Sequence, residues 1–142
     1  MLKRYRWWLG YAAADLVAAG MGMGVPFFCI ALGVPVGWLT TRRALASGLD
    51  VRSVLARTLA VAALSSGFTL VLMTALWAQM AQHLDEPTWI TETSGIPQIL
   101  YDPVPSLAAW LVLMIVISPI LQLLITVFSG VVVLVRAGRP QP

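Results

Sequence analysis

Residues 7–40, WWLGYAAADLVAAGMGMGVPFFCIALGVPVGWLT, decide how the rest of the chain is laid out. The stretch is apolar enough to sit in a bilayer and carries one acid, Asp15. In its middle Gly20, Gly22 and Gly24 are followed by Pro26, and glycine and proline are the poorest helix formers. A break is therefore expected there, between arms covering about 7–23 and 26–40. Each arm as a helix is roughly 22 to 26 Å long, slightly less than the ~30 Å hydrocarbon core. As one helix the stretch would reach roughly 50 Å, too long for a single passage without a large tilt. A glycine-rich helical hairpin is the better expectation, either crossing fully or dipping in and returning as a re-entrant loop.

Composition sets the surroundings. The 142 residues are 59% hydrophobic and 11% charged, with a mean hydropathy of +0.86. A soluble domain averages about a quarter charged residues, so this chain lacks the charge to cover itself in water. One membrane domain over residues 1–142 is expected, with no room for a second, soluble one. A net charge of +3 would raise the question of nucleic acid in a soluble protein. Here the basic residues flank apolar runs, where setting membrane orientation explains them better. The single cysteine, Cys29, allows no disulfide within the chain and no thiolate metal cluster. Arginine is abundant and asparagine absent, a bias that suggests a GC-rich bacterial genome and excludes N-glycosylation.

The start, MLKRYR, resembles the basic region of a signal peptide. An acid within the apolar core and hydrophobicity continuing beyond any cleavage site argue for a retained N-terminus. Downstream of Arg42 and Arg43, Gly48 suits the left-handed residue closing a helix and Asp50 suits the cap of the next. The second segment is thus expected over 26–46 and the third over 51–82. Residues 83–106 form a polar, proline-rich loop whose charges, Asp85, Glu86, Glu92 and Asp102, are all negative. Within it Thr88–Glu92 and Ile96–Tyr101 suit a short surface hairpin, with a small interfacial helix as the alternative. A fourth segment is expected over 107–135. Pro119 should kink it, with Ser118 and neighbouring helices satisfying the freed backbone.

Charge chooses the topology. With four passages all nine basic residues (Lys3, Arg4, Arg6, Arg42, Arg43, Arg52, Arg57, Arg136 and Arg139) share one face. The other face holds only the four acids and His83. Three passages split the basic residues and require an exported N-terminus. The positive-inside rule favours the first arrangement, in a bacterial inner membrane with both termini cytoplasmic and loop 83–106 outside. The aromatic belt agrees: Trp7, Trp8 and Trp38 fall at the inner boundary, Trp77 and Trp110 at the outer.

Few residues suggest chemistry. Asp15 is the sharpest, since an ionised carboxylate in lipid costs about 2.5 to 3.5 kcal/mol on insertion scales. It should be protonated or face the bundle. Matching depths offers Ser65, Thr126 and Ser129 as partners, and Tyr11 lies one turn back on the same helix face. Such an acid binds a proton or cation, or holds helices in register as a hydrogen-bonded structural group. Gly20 with Gly24 and Gly33 with Gly37 have the spacing that lets helices approach closely. That favours packing of the two arms or self-association over a discontinuous ligand-binding helix. GMGMG is no dinucleotide fingerprint, because no strand precedes it. Ser65, Ser66, Thr69, Thr74, Ser118, Gln122 and Thr126 form a polar track, and Gln122 falls near mid-membrane, where an unpaired amide is costly. His83 with Asp85 and Glu86 matches no metal motif, and neither a nucleophile nor a convergent pocket is evident.

The expectation is an all-α integral membrane bundle of four segments with no cofactor or metal. Its expected role is non-enzymatic, as an accessory or assembly subunit or a homo-oligomer, in contact with anionic lipid headgroups. The alternative is a small transporter or channel component that uses Asp15 for coupling.

Overall fold

A computed structural model describes residues 2–21, 27–92 and 100–138, with side chains placed over 8–17, 27–86, 89–90, 92 and 100–138. Gly22, Gly24, Pro26, Arg139 and most of the expected second hairpin strand lie outside the described residues. All regular structure among the described residues is helical. It comprises α1 (Leu2–Met21), α2 (Phe27–Ala46), α3 (Val51–Trp77), α4 (Pro87–Glu92), α5 (Pro103–Val112) and α6 (Ser118–Ala137). A 3-10 turn, Ala78–His83, extends α3, and a π turn, Leu113–Ile117, joins α5 to α6 in one continuous rod. Two helices, Val51–His83 and Pro103–Ala137, are long and apolar enough to cross a membrane.

The boundaries follow from local chemistry. Gly48 takes φ +69° after α2, a conformation that a Cβ disfavours. The chain reverses there through bonds from Ser47 N to Arg43 O (3.2 Å) and Gly48 N to Leu45 O (2.9 Å). Asp50 caps α3 by accepting from Ser53 N at 3.4 Å. Asp102 caps α5 by accepting from Val104 N at 3.0 Å, and Pro103 sits where a helix has no use for its missing N–H. This cap starts the last rod at Pro103, four residues before the expected 107. The second helix fits the expected 26–46, whereas the first starts five residues before the expected 7; each has 20 residues, or about 30 Å. α1 begins inside the basic run, because Lys and Arg are themselves good helix formers.

The segment Thr88–Glu92 is helix α4, so the expected hairpin gives way to the alternative. Pro87 suits a first helical turn, and Ile90 N bonds back to Glu86 O at 3.1 Å. Tertiary packing then decides: Ile90 is buried with Leu107 and Leu111 beneath Trp77, Leu84 and Trp89. A π turn immediately precedes Pro119 and widens the helix where the ring would otherwise press on a carbonyl one turn back. Ser118 does not repair the backbone, since its buried hydroxyl has no partner. Ser66 of α3 donates to Pro119 O at 2.6 Å, which ties α3 to the start of α6 but does not reach the carbonyl that the proline frees one turn earlier.

Helix directions can be read from the contacts. A Cβ on Gly33 would meet Gln122 O and Thr126 Oγ1 (both 2.8 Å), and one on Gly37 would strike the Thr126 carbonyl and come 3.2 Å from Gly130 N. α2 and α6 therefore run parallel, backbone against backbone. Gly33 and Gly37 press on α6, not on the first arm. Gly130 in turn faces Thr41 of α2 and Thr58 of α3, whose hydroxyls are 3.0 Å apart. With Ser66 at Pro119 and Met73 packed with Trp110 and Met114, α3 runs antiparallel to α6. The C-terminal ends of α2 and α6 and the start of α3 make a basic end. Asp85, Glu86, Glu92 and Asp102 belong to the other.

The interior is mixed: Val54, Met73, Leu107 and Trp110 are buried, but so are many polar side chains, among them Asp15, Thr41, Thr58, Ser65, Thr69, Ser106, Ser118, Gln122 and Thr126. Large apolar side chains face outward, such as Leu9 (68% exposed), Val71 (68%) and Phe128 (67%). Singly such residues are ordinary on a soluble fold, but an apolar surface this extensive is not.

Candidate functional site

The interior polar groups converge where α1, α3 and α6 meet, with Cys29 of α2 alongside. Each helix contributes residues one turn apart, which places them on one face: Tyr11 and Asp15 of α1, Ser65 and Thr69 of α3, Gln122 and Thr126 of α6. Asp15, Ser65, Thr69, Gln122 and Thr126 are each 0% exposed.

The hydrogen bonds form a directed chain. Gln122 Nε2 donates to the Tyr11 hydroxyl at 2.7 Å. The Tyr11 proton then faces Ser65 O at 3.3 Å and Thr69 Oγ1 at 3.4 Å, both long for an O–H donor. Thr69 Oγ1 donates to Asp15 Oδ2 at 2.8 Å, with Ser65 O farther off at 3.1 Å. The donors thus point from α6 through α1 to α3 and end on the carboxyl. Aligned bonds of this kind polarise one another in a low-dielectric interior. Two acceptors in the same seam have no donor: Asp15 Oδ1 and Gln122 Oε1. The Cys29 thiol borders the carboxyl and otherwise packs with Met73, Trp110 and Met114.

The depth-matched partners are placed differently. Ser65 turns its hydroxyl to Ala62 O at 3.0 Å and offers only its carbonyl to Tyr11. Thr126 bonds its own helix at Gln122 O (2.7 Å), and Ser129 bonds Val34 O of α2 (2.8 Å). None of these hydrogen bonds goes to Asp15. Its hydrogen-bond partner is Thr69, one turn beyond Ser65. The signal was present in the polar track, since Ser65, Ser66 and Thr69 share a face of α3. Tyr11 reaches Asp15 only through Thr69. Gly20 lies in the last turn of α1.

At the acidic end, the His83 ring stacks on Trp89 with centroids 3.9 Å apart, and Nδ1 lies 3.3 Å from Glu86 Oε2. This cluster ties the 3-10 turn to α4. Compared with family models, curated proteins and solved structures, the chain finds no match.

Proposed function

We propose that this chain is a non-enzymatic four-pass membrane protein that serves as an assembly or accessory subunit, either with itself or beside another membrane protein. The observation that carries this reading is the large outward-facing apolar surface of leucine, valine and phenylalanine around an interior that includes hydroxyls, an amide and a carboxyl. Lipid is the solvent that suits such a surface. Supporting the four-pass form, α1 and α2 have the length of a hydrocarbon core, although their charges keep them from being as apolar as the other two. The basic end is cytoplasmic by the positive-inside rule, in a bacterial inner membrane. Interhelical hydrogen bonds act in this role as register pins. The test is purification in mild detergent with cross-linking. A homo-oligomer or a stoichiometric complex is expected, and a chain that remains monomeric and alone after cross-linking in native membranes sinks the subunit role.

A second reading is favoured by one specific observation, the two undonated acceptors Asp15 Oδ1 and Gln122 Oε1. Buried polar groups are nearly always bonded, so a pair of orphans in one seam suits a visiting proton or cation. Under this reading the protein is a small transporter component coupled through Asp15. Flux in proteoliposomes should then be present in the wild type and lost in Asp15→Asn. Absent flux, or flux equal in both, removes the reading.

A further inference from the structure

At the basic end α2 and α6 leave a groove of about 280 Å³ between them, lined by Trp38, Arg42, Leu45, Val133, Arg136 and Ala137. Helical spacing builds it. Trp38, Arg42 and Leu45 fall at i, i+4 and i+7 on one face of α2, and Val133, Arg136 and Ala137 share one face of α6. Because the two helices run parallel, both arginines emerge at the same end of the bundle and line the same groove. Trp38 and Val133 lie one turn deeper. The Arg136 guanidinium sits 5.6 Å from the centroid of the Trp38 ring, within cation–π range, and this contact keeps the charge over the groove.

Among the described residues the charge there has no carboxylate counterpart: none lies within ion-pair distance of Arg42 or Arg136. Four of the six acids belong to the opposite end, Asp15 is in the seam, and Asp50 is engaged with Ser53. Two guanidinium groups on one groove repel each other until an anion lies between them, and their flat donor forks suit phosphate oxygens. Below that level the wall is an indole and a valine, which offer nothing to a soluble anion and suit a hydrocarbon chain.

The geometry points to a binding site for an anionic phospholipid, its phosphodiester held between Arg42 and Arg136 and an acyl chain laid over Trp38 and Val133. This inference rests on the membrane reading above and adds to it a specific ligand class and seat. Basic pockets between helices on the cytoplasmic side are where such headgroups bind.

The test is native mass spectrometry of the full chain with dioleoyl-phosphatidylglycerol and dioleoyl-phosphatidylcholine added in equal amounts. Phosphatidylglycerol should be retained preferentially. The pair R42Q and R136Q should weaken its binding by about tenfold or more, since both cations facing the phosphodiester are removed. The pair R52Q and R57Q removes the same charge from the same end but not from the groove, and should leave the preference standing. Equal retention of the two lipids, or equal loss in both pairs, overturns the site. Competition by free glycerol 3-phosphate as strong as by the lipid also overturns it, in favour of a soluble phosphate. Should the double variant fail to fold by circular dichroism and gel filtration, each single variant is read in its place and should lower phosphatidylglycerol binding. Alkaline carbonate extraction separates the two levels. A chain released from membranes ends the membrane reading itself, whereas a chain that stays but prefers neither lipid ends only this site.

Discussion

Thr69 Oγ1 of α3 donates a 2.8 Å hydrogen bond to Asp15 Oδ2 of α1. The bond joins the first helix to the bundle at a point where neither residue has any exposure. Most other contacts of α1 here are apolar or aromatic, such as Tyr11 edge-on to Phe68 at 6.2 Å. Apolar contact holds helices together in lipid without fixing their rotation. A short polar bond one turn from the Tyr11–Gln122 bond fixes both rotation and height.

Thr69→Val should therefore destabilise the protein more than its size suggests. A buried polar group stripped of its partner costs about 1–3 kcal/mol, and interhelical bonds within membranes average about 0.6 and reach about 1.7 kcal/mol. A loss of about 1–2 kcal/mol is expected in mixed-micelle unfolding, with Thr69→Ser recovering most of it. Valine as stable as threonine would mean that the seam does not hold α1.

Much of this arrangement could be read from residues alone. The helix ends at Gly48 and Asp50, the all-helical class and the burial of Asp15, Gln122 and Ser129 follow from local propensity and the cost of polar groups in an apolar setting. What escaped was relational. Whether Thr88–Glu92 is strand or helix depends on Ile90 meeting Leu107, sixteen or more residues away in the chain, and no local pattern carries that contact. The glycine pairs announced a close approach but not its partner, because small residues specify distance and leave identity to the facing helix. Likewise Thr69 rather than Ser65 meets Asp15, since a register between helices is set by all their contacts together.

The cap at Asp50 predicts a pH dependence. Bonds from Ser53, from its side chain and its backbone N–H, hold the Asp50 carboxyl below its ordinary range. A group with a lowered folded-state pKa stabilises the fold fully above the unfolded value and loses that contribution as pH falls through the folded one. Asp50→Ala should thus lower the melting temperature slightly at pH 7. The gap to wild type should narrow once pH drops below ~3.9. A gap unchanged down to pH 2 would show that the carboxylate charge contributes nothing to the cap.

Orientation has its own consequence. In a Cys29→Ala background, Leu49→Cys places a thiol in the exposed turn at the basic end and Glu92→Cys places one at the acidic end. A membrane-impermeant maleimide should label the second in intact cells and the first only after permeabilisation. The reverse pattern would invert the proposed topology and put the arginine groove on the wrong leaflet.

The contact of α2 with α6 yields the sharpest contrast. A Cβ at Gly37 would overlap the Thr126 carbonyl oxygen and lie 2.9 Å from its carbon. Both belong to helix backbone, which cannot swing aside as a flexible side chain can, so the two helices must part. Gly37→Ala is expected to cost about 1–3 kcal/mol, the range for overpacking a filled interface. Gly33→Ala should cost less, because one of its two 2.8 Å neighbours is the rotatable Thr126 hydroxyl. Gly10 and Gly67 have nothing within 4 Å of the same added atom. Alanine there gains helix propensity worth up to about 1 kcal/mol and should leave stability unchanged or raised. Thermal unfolding in one detergent compares all four. Were Gly37→Ala to behave like Gly67→Ala, α2 and α6 could not be packed backbone to backbone, and the groove between their basic ends would lose its walls.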